Sequence, residues 1–296
     1  MRPTIHLPLL LLALLFFTVG LRPVAWAHGA LDEKIATLRA AILREPANAA
    51  LRFDLAAAHQ EHGDWQIALA LLDRVEELAP EKHPTLLVRG QALADGGRYS
   101  EARAALDEFI QSHQQNATAR LARARVLSAL GETARAADDA AAAVAASPDP
   151  TTEMLLALAD YHRAAGRSEV ALATLDGARK KFGPLPVLVE RAVTIELALG
   201  RPARALARLD EQLAALPPAQ QPPWLADKAR LQTRLGQTTE TRRTWQALLD
   251  YTATLPPLDR ATPALAPLVA EARTALAPAP SSPTVSLAPP VPPPAP

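Results

Sequence analysis

The spacing of glycine constrains this chain more than any other feature. Of its 12 glycines, seven (Gly29, Gly63, Gly97, Gly131, Gly166, Gly200 and Gly236) stand 34, 34, 34, 35, 34 and 36 residues apart. A fixed period near 34 means one supersecondary unit laid down repeatedly, each copy burying its apolar face only against its neighbours. Five residues after five of these glycines comes an alanine: Ala68, Ala102, Ala136, Ala171 and Ala205, with Thr241 in the last copy. The pattern predicts a helix, a tight turn and a second helix. Glycine ends the first helix because it enters the left-handed conformation without steric cost. Alanine marks the closest approach of the two helices, where a larger side chain would overpack by about 1–3 kcal/mol.

Between these marks apolar residues recur at helical spacing, as in Leu55, Ala56 and His59, then Ala68, Leu72 and Val75. Pro46, Pro80, Pro148 and Pro217 close several second helices. In register, Leu55-Ala56, His59, Gly63, Trp65, Ala68, Leu72, Val75 and Pro80 resemble one complete tetratricopeptide repeat (TPR). Gly90, Leu93, Gly97, Tyr99, Ala102 and Leu106 resemble a second copy, and weaker copies follow down to Ala229, Gly236, Thr241, Trp245 and Leu248. The resemblance implies an all-α fold, an α-solenoid of about six hairpins near 49–82, 83–116, 117–150, 151–184, 185–220 and 221–254. It further implies a right-handed superhelix whose first helices line a groove that holds peptides or proteins.

Both ends of the array fit such a stack. Leu31–Arg44 reads as a lone second helix presenting Leu31, Ile35, Leu38 and Ile42 to the first full hairpin. Leu265, Leu268, Val269, Ala272 and Leu276, with Glu271 and Arg273 opposite, read as an amphipathic capping helix near 262–277.

Outside the repeats, Met1-Arg2, the apolar run Leu7–Leu21 and Val24-Ala25-Trp26-Ala27 form a three-part secretory signal, with cleavage expected after Ala27. Arg22-Pro23 interrupts the run well short of the ~20 residues a membrane span needs. Residues 278–296 are Pro-rich and expected to form an extended tail. Export to the periplasm or medium of a bacterium is the expected location, with no stable membrane span after cleavage.

The chain holds 31 basic and 31 acidic residues, so it lacks the basic footprint that nucleic acid or an anionic membrane requires. Cysteine is absent, which removes disulfides, thiolate metal sites and thiol nucleophiles. No phosphate loop or Gly-x-Ser-x-Gly elbow occurs, so the expectation is a non-catalytic scaffold without a cofactor. His59 and His162 occupy one repeat position and read as packing residues, while His62 falls beside the turn. His28 would become the mature N-terminus, where its amino nitrogen and imidazole suit Cu(II); an accessory protein binding metal or a small ligand is therefore the alternative reading. The groove-facing slots of the first helices hold Gln60, Gln91, Arg125, Asp160, Arg163, Glu190, Arg230 and Arg234. The Lys/Asn pattern with which some TPR proteins clamp a terminal carboxylate is replaced by Phe53 and Ala57. The expected ligand is thus a protein or peptide of the cell envelope, held along these polar positions.

Overall fold

The structure is a computed structural model that describes residues 22–277, with side chains from residue 29 onward. Residues 1–21 of the expected signal, the Pro-rich tail and the His28 side chain lie outside the described residues. Among the described residues there are fifteen α-helices, one short 3-10 turn and no strand. After α1 (Arg22–Arg44) come six helix–turn–helix pairs. They are α2 (Ala49–His62) with α3 (Trp65–Leu78), α4 (Thr85–Asp95) with α5 (Tyr99–Ser112), and α6 (Ala117–Ala129) with α7 (Thr133–Ala146). Then follow α8 (Thr152–Ala164) with α9 (Ser168–Phe182), α10 (Pro186–Ala198) with α11 (Pro202–Ala215), and α12 (Pro222–Arg234) with α13 (Thr238–Ala253). A short α14 (Pro257–Arg260) and the final α15 (Ala266–Leu276) complete the order.

The ladder glycines explain the turns. Gly63, Gly97, Gly131, Gly166, Gly200 and Gly236 all have positive φ, between 69° and 92°. Each turn is closed by the same two backbone bonds. At the first, Gly63 N–H donates to Gln60 O (3.1 Å) and Asp64 N–H to His59 O (2.9 Å), satisfying carbonyls that the helix end would leave bare. Gly29 departs from this expectation. It lies inside α1, which starts at Arg22 rather than near Leu31 and so includes the expected cleavage point. The backbone runs helical through Gly29, so no left-handed turn is made at that position.

The five ladder alanines are fully buried, as the close-approach argument requires. Gly90 is a second kind of close approach: a Cβ on it would lie 2.5 Å from Leu106 Cγ, so the α4–α5 contact admits no side chain there.

The chain divides into two compact units, residues 1–174 and 175–296. In the first, α1 lays Leu31, Ile35, Leu38 and Ile42 on Leu55 and Ala58 of α2. Further along, Ala124, Leu127, Ala136 and Ala140 make a core of small side chains. Beside it runs a charged network. Arg123 of α6 donates to Asp139 of α7 (2.6 and 2.7 Å) and to Asp107 of α5 (2.7 Å), and Arg120 adds a third bond to Asp139 (3.3 Å). Asp139 is only 6% exposed, so its charge exists there by virtue of these partners.

In the second unit, Val269 and Ala272 of α15 close over Ala226, Ala229, Trp245 and Leu248. Glu271 was expected on the opposite, solvent side. Instead it turns back to α12, where Arg230 donates to both its oxygens (2.9 and 2.5 Å). A one-residue offset from the buried Ala272 lets this long side chain reach the neighbouring helix edge. Thr241, in the alanine slot of the last pair, carries a buried hydroxyl without a hydrogen-bond partner.

One regularity spans hairpins without being visible in the glycines. An Asp ten residues after a turn glycine pairs with a cation eight residues before the next one. The pairs are Asp73–Arg89 (2.7 Å) and Asp107–Arg123 (2.7 Å) in the first unit, and Asp210–Lys228 (2.5 Å) in the second.

Candidate partner-binding face

The first helices of consecutive pairs, α2, α4 and α6, stack side by side in the first unit. Their outward polar residues therefore form one continuous strip. Gln60 of α2 donates its amide to Asp95 of α4 (2.8 Å), and Arg125 of α6 donates to the other oxygen of Asp95 (2.5 Å). Gln91 stands one turn before Asp95 and is half-buried. On α8, Asp160 and Arg163 approach each other at 3.9 Å. Between them Tyr161 is largely desolvated, which raises its phenol above the usual value, while the Arg125 charge opposes that rise. Sequence reasoning named Gln60, Gln91, Arg125, Asp160 and Arg163 but missed Asp95, the carboxylate that joins two of them. The signal was available: Asp95 lies one helical turn after Gln91, on the same face.

In the second unit Glu190, Arg230 and Arg234 line a single cavity of about 230 Å³. Its floor is apolar: Val193 and Leu197 from α10, Leu209 from α11, Trp224 and Leu231 from α12. Trp224 follows Pro222 and Pro223 at the start of α12, where proline's fixed φ suits a first helical turn. At the rim, Arg230 is committed to Glu271 and to Asp227 (2.9 Å). The arginine bonds hold the Glu271 carboxyl below its ordinary range and keep the guanidinium firmly charged. Arg230 thus ties the capping helix to the rim. Arg234 and Glu190 are exposed and make no ion pair among the described residues. The cavity offers an apolar seat between one cation and one anion.

The carboxylate-clamp slots are filled otherwise. Phe53 stacks on His83 with ring centres 5.3 Å apart. Both packing histidines are buried, by different means. Arg39 donates to Nε2 of His59 (3.2 Å), which places the ring proton on Nδ1, where it donates to Asp64 (2.9 Å). That bond chiefly lowers the Asp64 carboxyl, and His62 adds to it from the turn. His162 has no partner at its buried Nδ1, and desolvation followed by the Arg167 charge pushes its pKa down. No group of three or more metal-ligating side chains is assembled among the described residues.

Residues 87–150 match the family model described as tetratricopeptide repeat. A search of curated proteins finds no match to the chain. Among solved structures, the C-terminal part of a TPR repeat-containing protein from Cytophaga hutchinsonii aligns with a TM-score of 0.60 at 11% identity, covering 81% of this chain and 97% of that one. A tetratricopeptide repeat protein from Parabacteroides merdae gives 0.49 at 15% identity, covering 83% and 93%. YrrB, whose structure is titled a TPR protein with an unusual peptide-binding site, gives 0.49 at 18% identity, covering 61% and 92%. The first of these likenesses shows the shared fold of helical hairpins.

Proposed function

We propose that this chain, a tetratricopeptide-repeat protein, is an exported scaffold that seats a protein or peptide partner on the first-helix face of its second unit. The observation that carries the reading is the cavity between α10 and α12. Its floor of Val193, Leu197, Trp224 and Leu231 suits one apolar side chain, and exposed Arg234 and Glu190 suit charged neighbours on the same partner strand. Buried aromatic floors with polar rims concentrate binding energy at interfaces. Location in the periplasm or medium rests on the sequence of residues 1–27; no helix among the described residues is long and apolar enough to cross a membrane.

The test exchanges the rim charges. Glu190→Arg combined with Arg234→Glu should change the set of proteins captured from envelope extract, with the fold intact by circular dichroism. An unchanged set of partners would contradict the assignment of this face.

A further inference from the structure

The second unit carries a larger cavity, about 630 Å³, on a different surface, between the second helices α9 and α11. Helical spacing builds it. Asp176, Arg179 and Lys180 share one face of α9, while Arg204, Arg208 and Glu211 share one face of α11. Ala207 and Ala215 on that face are too small to fill the space between. Beside the cavity, one carboxylate of the inter-hairpin register lacks its usual cation. Asp176 stands ten residues after Gly166, but the position eight before Gly200 is Ala192. Lacking its usual partner, Asp176 takes Arg208 from α11 (2.6 and 3.3 Å).

Charge accounting then leaves a surplus. Arg208 also donates to the buried Glu196 (3.1 Å), whose second oxygen lies 4.0 Å from Arg201. Arg179 is matched by Glu211 (2.6 Å). With those carboxylates engaged, Lys180 and Arg204 are exposed cations lining the cavity without an ion pair among the described residues. The lining as a whole, four cations against three carboxylates, carries one net positive charge, and the two cations without an ion pair can bond the strong acceptor oxygens of a phosphate group. The volume falls within the roughly 300–1,000 Å³ of small-molecule sites. We infer that this cavity binds a small phosphate-bearing anion, with Lys180 and Arg204 as the direct contacts and Arg208 held in place behind them. The inference does not depend on the partner face proposed above, which uses other residues.

The experiment is calorimetric titration of the purified chain with inorganic phosphate and pyrophosphate at constant ionic strength, with chloride and citrate as comparison ions. Saturable phosphate or pyrophosphate binding is expected, weakened at least tenfold by Lys180→Ala with Arg204→Ala. Both positions are exposed, so circular dichroism and melting should stay unchanged. A charge-matched control, Arg242→Ala with Arg243→Ala on α13, should bind as the parent does. The inference is overturned by absence of saturable binding, by citrate binding as tightly, or by equal weakening in the control.

Discussion

Two hairpin junctions, one in the first unit at Asp107 and one in the second at Asp176, satisfy a carboxylate at one repeat position in opposite ways. In the first, Asp107 meets Arg123 on the next first helix, and Asp139 completes a buried network. In the second, Asp176 faces Ala192 and draws Arg208 away from the neighbouring second helix, with a large cavity beside the pair. A register match consolidates the contact between hairpins at Asp107; where Asp176 stands against Ala192 instead, a polar cavity lies beside the carboxylate.

That comparison can be broken at several points. The largest effect is expected from Asp139→Ala, which strands Arg123 and Arg120 beside the alanine core. Loss of a buried pair costs about 3–5 kcal/mol, and the low end, ~3 kcal/mol, is expected because Arg123 keeps Asp107. Asp73→Ala, at an exposed pair, should cost under about 1 kcal/mol. Equal losses in denaturant titrations of the two variants would refute the distinction between network and ladder.

Gly63→Ala should cost roughly 1–2 kcal/mol, because a Cβ is strained at φ 92°. Gly29→Ala should cost nothing, because Gly29 is helical in α1 and no left-handed turn is made there. Thermal melting of both checks whether Gly29 has left the ladder, and a comparable loss at both sites would say it has not.

Thr241→Ala should stabilise by about 1 kcal/mol, since it removes an unpartnered buried hydroxyl from the alanine slot. A destabilised variant would mean that the hydroxyl finds a partner in solution. The smallest effect concerns His162. Its folded pKa lies below the ordinary 6.5, so the unfolded chain takes up a proton first as pH falls. The stability present above pH 6.5 is then lost toward the lower folded pKa, and His162→Gln should flatten that part of the pH–stability curve. An unaltered slope would place the acid sensitivity elsewhere.

Much of the fold was legible because glycine and alanine are geometric requirements. A left-handed turn and a close helix contact each admit very few residues, so their spacing survives where other positions vary. Side-chain partners were less legible. Glu271 was assigned to solvent from its helical phase, but a long side chain one step from a buried position can reach around the helix to Arg230. Asp95 was missed because its partners, Gln60 and Arg125, lie 35 and 30 residues away, across two different turns. The break at Ala192 becomes meaningful only once neighbouring ion pairs are seen to occupy one register. Glu190, Arg230 and Arg234 were named as groove-facing positions of the first helices, and their shared cavity arises from the packing of α10 beside α12.

The central claim, that the first-helix face holds the partner, is tested most directly by site-specific photo-crosslinking in envelope extract. A photoreactive side chain at Leu197, the part of the cavity floor between α10 and α12 that reaches solvent, should give a discrete adduct that an equivalent group at Arg242 on α13 does not. The adduct should disappear when Glu190 and Arg234 exchange charge. The same adduct from both positions, or from Arg242 alone, would contradict the account.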